Sequence, residues 1–72
     1  MMASEILKKF GQRVRLERVR LGISQEELAA RAGVHRTYVG MIERGEKNIT
    51  LENIERFSKA LGISIHDCFE GL

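Results

Sequence analysis

The sequence has no proline and only one cysteine among its 72 residues, and both shortages limit what the chain can be. Without proline, no residue forces a helix to end, so glycine must mark most element boundaries. Cys68 excludes an internal disulfide framework and belongs to no metal-ligand cluster. We therefore expect a reduced, partly buried thiol at Cys68 and a protein without a metal or another cofactor.

Long apolar runs are also missing. No stretch approaches the ~20 apolar residues of a membrane span, and the N-terminal segment MMASEILKKF lacks the core of a signal peptide. The hydrophobic fraction of 43% and the charged fraction of 31% are typical of soluble globular proteins. The length allows one small, marginally stable domain, residues 1–72. We expect a cytoplasmic protein with no membrane partner.

Neither sign of charge is in large excess, since 12 basic and 10 acidic residues give a net charge of +2. Basic residues nevertheless concentrate in the predicted first helix, at Lys8, Lys9, Arg13, Arg15, Arg18 and Arg20. Acidic residues lie mostly in the last third, at Glu52, Glu55, Asp67 and Glu70. This asymmetry predicts one basic face on the first helix and a different role for the C-terminal end.

Residues 24–44 carry the pattern of two short helices joined by a turn. Ser24 and Glu27 form a capping box that begins the first of these helices. Gly33 can end this helix, because it adopts a positive φ without steric cost. The apolar face of the helix consists of Leu28, Ala29 and Ala32.

The second helix of this pair extends from about Arg36 to Glu43, with His35 near its N-cap. Val39 and Ile42 lie three residues apart, so both can fill the space between the two helices. Two helices joined by a short turn with glycine are typical of the helix-turn-helix, which places its second helix in the DNA major groove.

Three further helices complete the predicted fold, at about 4–21, 50–61 and 64–70, with Ser4, Thr50 and Ser64 as N-caps. The first has apolar residues at helical spacing, namely Ile6, Leu7, Phe10, Val14 and Leu21. The predicted inner face of the fourth consists of Leu51, Ile54, Phe57 and Leu61. Because no strand-like alternation is present, we predict an all-α fold of five short helices around one core.

Several segments of the chain resemble the Cro/repressor-like, or XRE-type, helix-turn-helix family between Phe10 and Phe69. The matching segments are FGQRVR, GISQEELAARAGV, IERGEKN and ALGIS. The string HRTYVGMIERGEKNITLENIERFSKALG is particularly similar to the small controller proteins of restriction–modification systems. The resemblance implies a five-helix repressor-like DNA-binding domain in a homodimeric repressor–activator that binds a palindromic operator. Glu17 and His35 depart from the family pattern, which more often has leucine and serine or threonine there.

The start of the predicted recognition helix offers candidates for contacts with DNA bases. Arg36 can pair bidentately with guanine O6 and N7, and Thr37 can bond a base or contact a thymine methyl. His35 is a further candidate, and Gly40 leaves room for close approach. The alternative is that these are ordinary surface residues, with Arg36 contacting only phosphate.

Five residues are candidates for phosphate contacts. Gln25 begins a helix whose N-terminus attracts anions, and the resemblance implies that this glutamine contacts phosphate. Tyr38 can pack its ring on the domain while its hydroxyl reaches a phosphate. The segment after the recognition helix adds Arg44, Lys47 and Asn48. Such contacts set affinity and salt dependence more than specificity, and the alternative is a plain solvated loop.

The resemblance also implies a structural ion pair. In repressor-type relatives, an arginine four residues before the glycine of the first helix bonds a glutamate at the end of the recognition helix. Arg18 and Glu43 occupy those positions here. Desolvation can cancel the attraction of such a pair, so we expect it to fix the angle of the recognition helix rather than to add stability.

The segment 49–72 has more apolar groups than one small core can bury. We predict a two-fold dimer interface containing Ile49, Ile63, Ile65, Phe69 and Leu72. The alternative is ordinary core, which we expect to include Leu51 and Ile63. A dimer is expected on other grounds too, because one recognition helix contacts only a few base pairs and a two-fold dimer doubles the site.

Together these features predict a transcriptional regulator whose partners are double-stranded DNA, a second copy of the chain and, as a candidate, RNA polymerase. A second hypothesis is an antitoxin-like or other protein-interaction module with a helix-turn-helix. An enzyme is disfavoured, because His35 and His66 lack catalytic partners at recognisable spacing. A helical chain of this size also leaves little room for a ligand pocket of ~300 Å³ or more.

Overall fold

The structure, a computed structural model, describes residues 4–72 and leaves the first three residues of the N-terminal segment outside. This range contains five helices and no strand, which confirms the predicted all-α fold. The helices are α1 (Glu5–Leu21), α2 (Gln25–Ala32), α3 (Arg36–Glu43), α4 (Leu51–Leu61) and α5 (Ile65–Phe69). None of them combines the length and the apolar character needed to cross a bilayer.

Side-chain caps fix where most of the helices begin. Ser24, Thr50 and Ser64 each accept a hydrogen bond from the backbone N–H three residues later, at 3.0, 3.1 and 2.9 Å. Such caps satisfy a helical N–H group that would otherwise lack a partner. Ser4 precedes α1 as predicted but makes no such bond. Gly33, at the end of α2, has the expected positive φ of 71°.

One core lies between the helices, and α3 packs against both α1 and α2. The buried apolar side chains are Phe10, Val14, Leu28, Ala29, Ala32, Val39, Ile42, Phe57, Leu61 and Cys68. Phe10 of α1 stacks on Phe69 of α5 with ring centroids 5.2 Å apart, which attaches the short last helix to the first. Cys68 is a free, buried cysteine, and burial raises the pKa of its thiol.

Two parts of the predicted apolar pattern are wrong. Leu51 was expected on the inner face of α4 and in the core, but it is 75% exposed. It lies in the first turn, whereas the buried residues of this helix, Phe57, Ser58 and Leu61, all lie in its second half. In α1, Ile6 and Leu21 are also exposed, because the covering elements reach only the middle of the helix.

Two of the six residues of the predicted basic face of α1 make contacts within the fold instead. The guanidinium of Arg13 donates to the carbonyl oxygens of Asp67 in α5 and, at 2.6 Å, of Glu70 at the end of that helix. Arg18 is largely buried against α3. Arg13 and Arg18 therefore attach α1 to the end of α5 and to α3, while the other four basic residues of α1 remain exposed.

Candidate nucleic-acid interface

The turn between α2 and α3 presents the outer face of α3 to solvent. Gly33 ends α2, and the backbone N–H of Val34 donates to the carbonyl of Ala29 at 3.0 Å. Val39 and Ile42 then bury the inner face of α3. The first turn of α3 remains uncovered, so a ligand has access to the side chains that begin this helix.

Arg36 and Thr37 are both exposed at the N-terminus of α3. They line a cleft of about 580 Å³ together with Arg18, Ser24, Gln25, Glu26, Gly40 and Arg44. Within the cleft, Arg36 Nη1 lies 3.7 Å from Glu26 Oε2, and the two side chains are 68% and 77% exposed. Such an exposed pair contributes little, so the Arg36 guanidinium is available to another acceptor.

His35 caps α3 in place of the usual serine or threonine. Its Nδ1 atom accepts a hydrogen bond of 3.1 Å from the backbone N–H of Thr37. An accepting Nδ1 must be unprotonated, which leaves the proton of the neutral ring on Nε2. This exposed ring therefore fixes the first turn of α3 and still has one outward donor.

Gly40, which was expected to leave room for close approach, is buried. A Cβ atom built on Gly40 would lie 3.1 Å from Arg44 Nη1 and 3.6 Å from Gln25 Oε1. In the free protein the space beside Gly40 is thus filled by the Arg44 guanidinium. DNA can approach Gly40 closely only if the exposed Arg44 side chain moves.

The Arg18–Glu43 contact is present and belongs to a larger network. Arg18 Nε lies 2.7 Å from Glu43 Oε2, and the side chains are 13% and 3% exposed. Arg18 Nη2 donates to Glu43 Oε1 at 3.1 Å, and Nη1 donates to the carbonyl of Ile23 at 2.9 Å. The hydrogen bond to Glu43 raises the pKa of Arg18 above its ordinary value.

Gln25 joins this network, which the sequence did not reveal. Its Nε2 atom donates to Glu43 Oε1 at 3.0 Å. The two residues are 18 positions apart, on α2 and α3, and no local spacing pattern predicts such a bond. The amide has a second N–H group beside the free N–H groups that begin α2, so Gln25 is held in place with one donor to spare.

Tyr38 combines packing with a polar contact. Its ring meets Phe57 edge-on at 6.1 Å, as expected for a ring that packs on the domain. Its hydroxyl accepts a hydrogen bond of 3.0 Å from Asn53 Nδ2 on α4. The hydroxyl hydrogen remains as a donor, and the phosphate contact predicted for Tyr38 stays a prediction.

The loop after α3 contains exposed donors and one carboxylate. Arg44 Nε lies 3.0 Å from Glu46 Oε2, with side chains 57% and 53% exposed. Hydrogen bonding to Glu46 raises the pKa of Arg44 above its ordinary value. Asn48 Oδ1 accepts from the backbone N–H of Ile49, so its amide hydrogens face outward, and Lys47 is exposed.

The predicted dimer residues differ in burial. Ile49, Ile63, Phe69 and Leu72 are half-buried and pack against the core, so each has already lost part of its exposed surface. Ile65, at the start of α5, is 39% exposed. The dimer interface stays a prediction, with Ile65 as its most accessible member.

An exposed first turn of α3, supported from behind by α2, defines a helix-turn-helix domain. The helix-turn-helix family model matches residues 14–68, and the chain belongs to this family. The control protein C.BamHI of Bacillus amyloliquefaciens is 46% identical over 70 residues, which is 96% of this chain and 86% of that protein. The expected similarity to controller proteins is confirmed.

Two solved structures extend this similarity to the fold. The restriction–modification controller protein C.AhdI from Aeromonas hydrophila is 45% identical with a TM-score of 0.89, over 92% of this chain and 100% of that one. The controller protein C.Esp1396I, solved as a tetramer with its natural 35 base-pair operator, is 34% identical with a TM-score of 0.86. That match covers 93% of this chain and 88% of the other.

Proposed function

We propose that this protein is a homodimeric, sequence-specific regulator of transcription that binds a palindromic operator. The observation that carries the proposal is the free N-terminal turn of α3, where Arg36 and Thr37 are exposed. If this turn were covered by the same subunit, no side chain of α3 could reach a base. In the structure it borders an open cleft.

The proposal gives separate roles to two groups of residues. Arg36 and Thr37 read base edges, with His35 and Gly40 beside them in the major groove. Phosphate contacts come from Gln25, Tyr38, Arg44, Lys47 and Asn48. The bond of Gln25 to Glu43 joins α2 to α3, and the bond of Arg18 to Glu43 joins α1 to α3, so this network fixes Gln25 relative to the helix that carries Arg36 and Thr37.

We further propose that the protein controls the operon of a restriction–modification system. The similarity to control proteins along nearly the whole chain supports this role. An occupied operator would then block RNA polymerase or recruit it, depending on the position of the operator. Methyltransferase and endonuclease genes beside this gene are the expected gene neighbourhood, and their absence would contradict the role.

Selection of binding sites from random DNA tests the proposal directly. We expect a short palindrome to be enriched in salt near physiological strength, where non-specific binding is weak. Failure of any palindrome to outcompete bulk DNA would refute sequence-specific regulation.

Two variants then separate base reading from phosphate binding. Arg36→Ala should relax the preference at one position of the operator by about 1–3 kcal/mol. Lys47→Ala should weaken binding to all sequences and lower the slope of log K against log salt by about 0.9 for each lost contact. If both variants lose sequence preference equally, the two roles are assigned wrongly.

A further inference from the structure

We propose that Lys8 of α1 supplies an additional phosphate contact, next to the loop that follows the recognition helix. The inference rests on the proposed DNA-binding function and adds a residue from a different part of the chain. No pattern in the sequence connects Lys8 with residues 44–48. The structure connects them through Gly45.

Gly45 brings the loop against α1. It has a φ of 71°, and a Cβ atom built on it would lie 2.9 Å from Lys8 Cα and 3.0 Å from Lys8 Cγ. Distances this short leave no room for a larger residue. The backbone of Gly45 is therefore in direct contact with the backbone and the first part of the side chain of Lys8.

The beginning of the loop is fixed to α3. The backbone N–H of Gly45 donates to the carbonyl of Ile42 at 3.0 Å, and that of Glu46 donates to the carbonyl of Met41 at 2.9 Å. Because Gly45 contacts both α3 and α1, the position of Lys8 relative to the recognition helix is set by the backbone of this glycine. The loop is therefore already ordered before DNA binds.

The ammonium group of Lys8 is also available to a ligand. Lys8 is exposed and forms no ion pair within residues 4–72, whereas Arg44 is held by Glu46. Lysine has a compact charge on a flexible stem, which suits contact with a phosphate rather than with a base edge. Lys8 and Lys47 would then lie on either side of Gly45, and both ammonium groups could contact phosphates of the same DNA strand.

The competing explanation is that Lys8 acts only as a cover for Gly45. Long charged side chains often bury their stems while the charge stays in water. Lys8→Met separates the two roles, because methionine keeps an unbranched apolar stem and removes the ammonium group.

Lys9 provides a matched control. Consecutive residues of a helix point about 100° apart, and Lys9 lies toward the C-terminal end of the chain, in a cleft with Gly71 and Leu72. Lys9→Met therefore makes the same change of charge, on the same helix, away from the loop.

The experiment measures the binding of the wild type and of each variant to one duplex of defined, non-operator sequence at several salt concentrations. Loss of one phosphate contact per subunit lowers the slope of log K against log salt by about 0.9, and hence by about 1.8 for a dimer. We expect this reduction in Lys8→Met and in the positive control Lys47→Met, and an unchanged slope in Lys9→Met. Melting temperatures of all three should match the wild type.

Two results would overturn the inference. If Lys8→Met and Lys9→Met have the same slope while Lys47→Met is reduced, Lys8 is a cover only and the proposed function stands. If the slope of Lys8→Met falls together with its melting temperature, the change is structural. A wild-type protein without salt-dependent DNA binding would instead refute the proposed function itself.

Discussion

The carboxylate of Glu43 joins α3 to two other helices through its two oxygen atoms. It accepts from Arg18 of α1 and Gln25 of α2, and its own backbone belongs to α3. Because the side chain is only 3% exposed, little water is available to replace a lost partner. One buried carboxylate thus helps to set both the crossing of the helices and the position of Gln25, which is proposed to contact phosphate.

Replacing Glu43 should therefore affect stability and DNA binding together. Glu43→Gln leaves Arg18 buried without its counter-charge, and we expect the free energy of unfolding to fall by about 3 kcal/mol. Chemical denaturation followed by circular dichroism measures this loss. DNA affinity, measured at a temperature where the variant is folded, should fall as well.

Glu46→Gln is the stability control, because it makes the same chemical change at an exposed carboxylate. We expect it to change stability by less than about 0.5 kcal/mol. Equal stability of Glu43→Gln and the wild type would show that the hydrogen bonds of Glu43 do not contribute to the free energy of unfolding.

Element boundaries followed from the sequence because the signals that set them are local. Ser24 and Glu27 are three residues apart, and the structure contains the hydrogen bond that this spacing predicts. The partners of Arg13 at the end of α5 were missed, since they lie 54 and 57 residues away. Leu51 was misassigned because helical spacing identifies the apolar face of a helix but not which turns of that face are covered by other helices.

The loop after α3 has an acidic residue in a position where a phosphate is expected. Glu46 holds Arg44 in the free protein, so under the proposed phosphate contact of Arg44 the DNA has to compete with this carboxylate for the guanidinium. Glu46→Gln should therefore bind DNA more tightly, by about threefold, which is the scale of one exposed ion pair. Fluorescence anisotropy with a labelled duplex measures the gain.

Glu55→Gln is the matched control for charge. It removes an exposed carboxylate on α4 that pairs with Lys59, away from the loop. If it tightens binding as much as Glu46→Gln, the effect comes from net charge and the competition for Arg44 does not exist.

At the scale of the whole molecule, size argues for association. The chain measures 31 × 25 × 21 Å, and its recognition helix has eight residues, which span about 12 Å. One such helix reaches only a few base pairs, whereas half-sites of two-fold dimers lie ~34–36 Å apart. Two copies with their α5 segments in contact would supply the second recognition helix.

Ile65→Lys tests this arrangement. The side chain is 39% exposed in one subunit, so a charge there is tolerated in the monomer but would have to be buried in the dimer. We expect the dimer dissociation constant, measured by analytical ultracentrifugation, to rise at least about tenfold, which is a loss of about 1.4 kcal/mol. Val19→Lys is the control, because Val19 is an apolar residue of α1, 56% exposed, and the cleft that it lines contains residues of α1 alone. Dissociation caused by Val19→Lys and not by Ile65→Lys would move the interface from α5 to α1, and the two recognition helices would then need a different spacing on DNA.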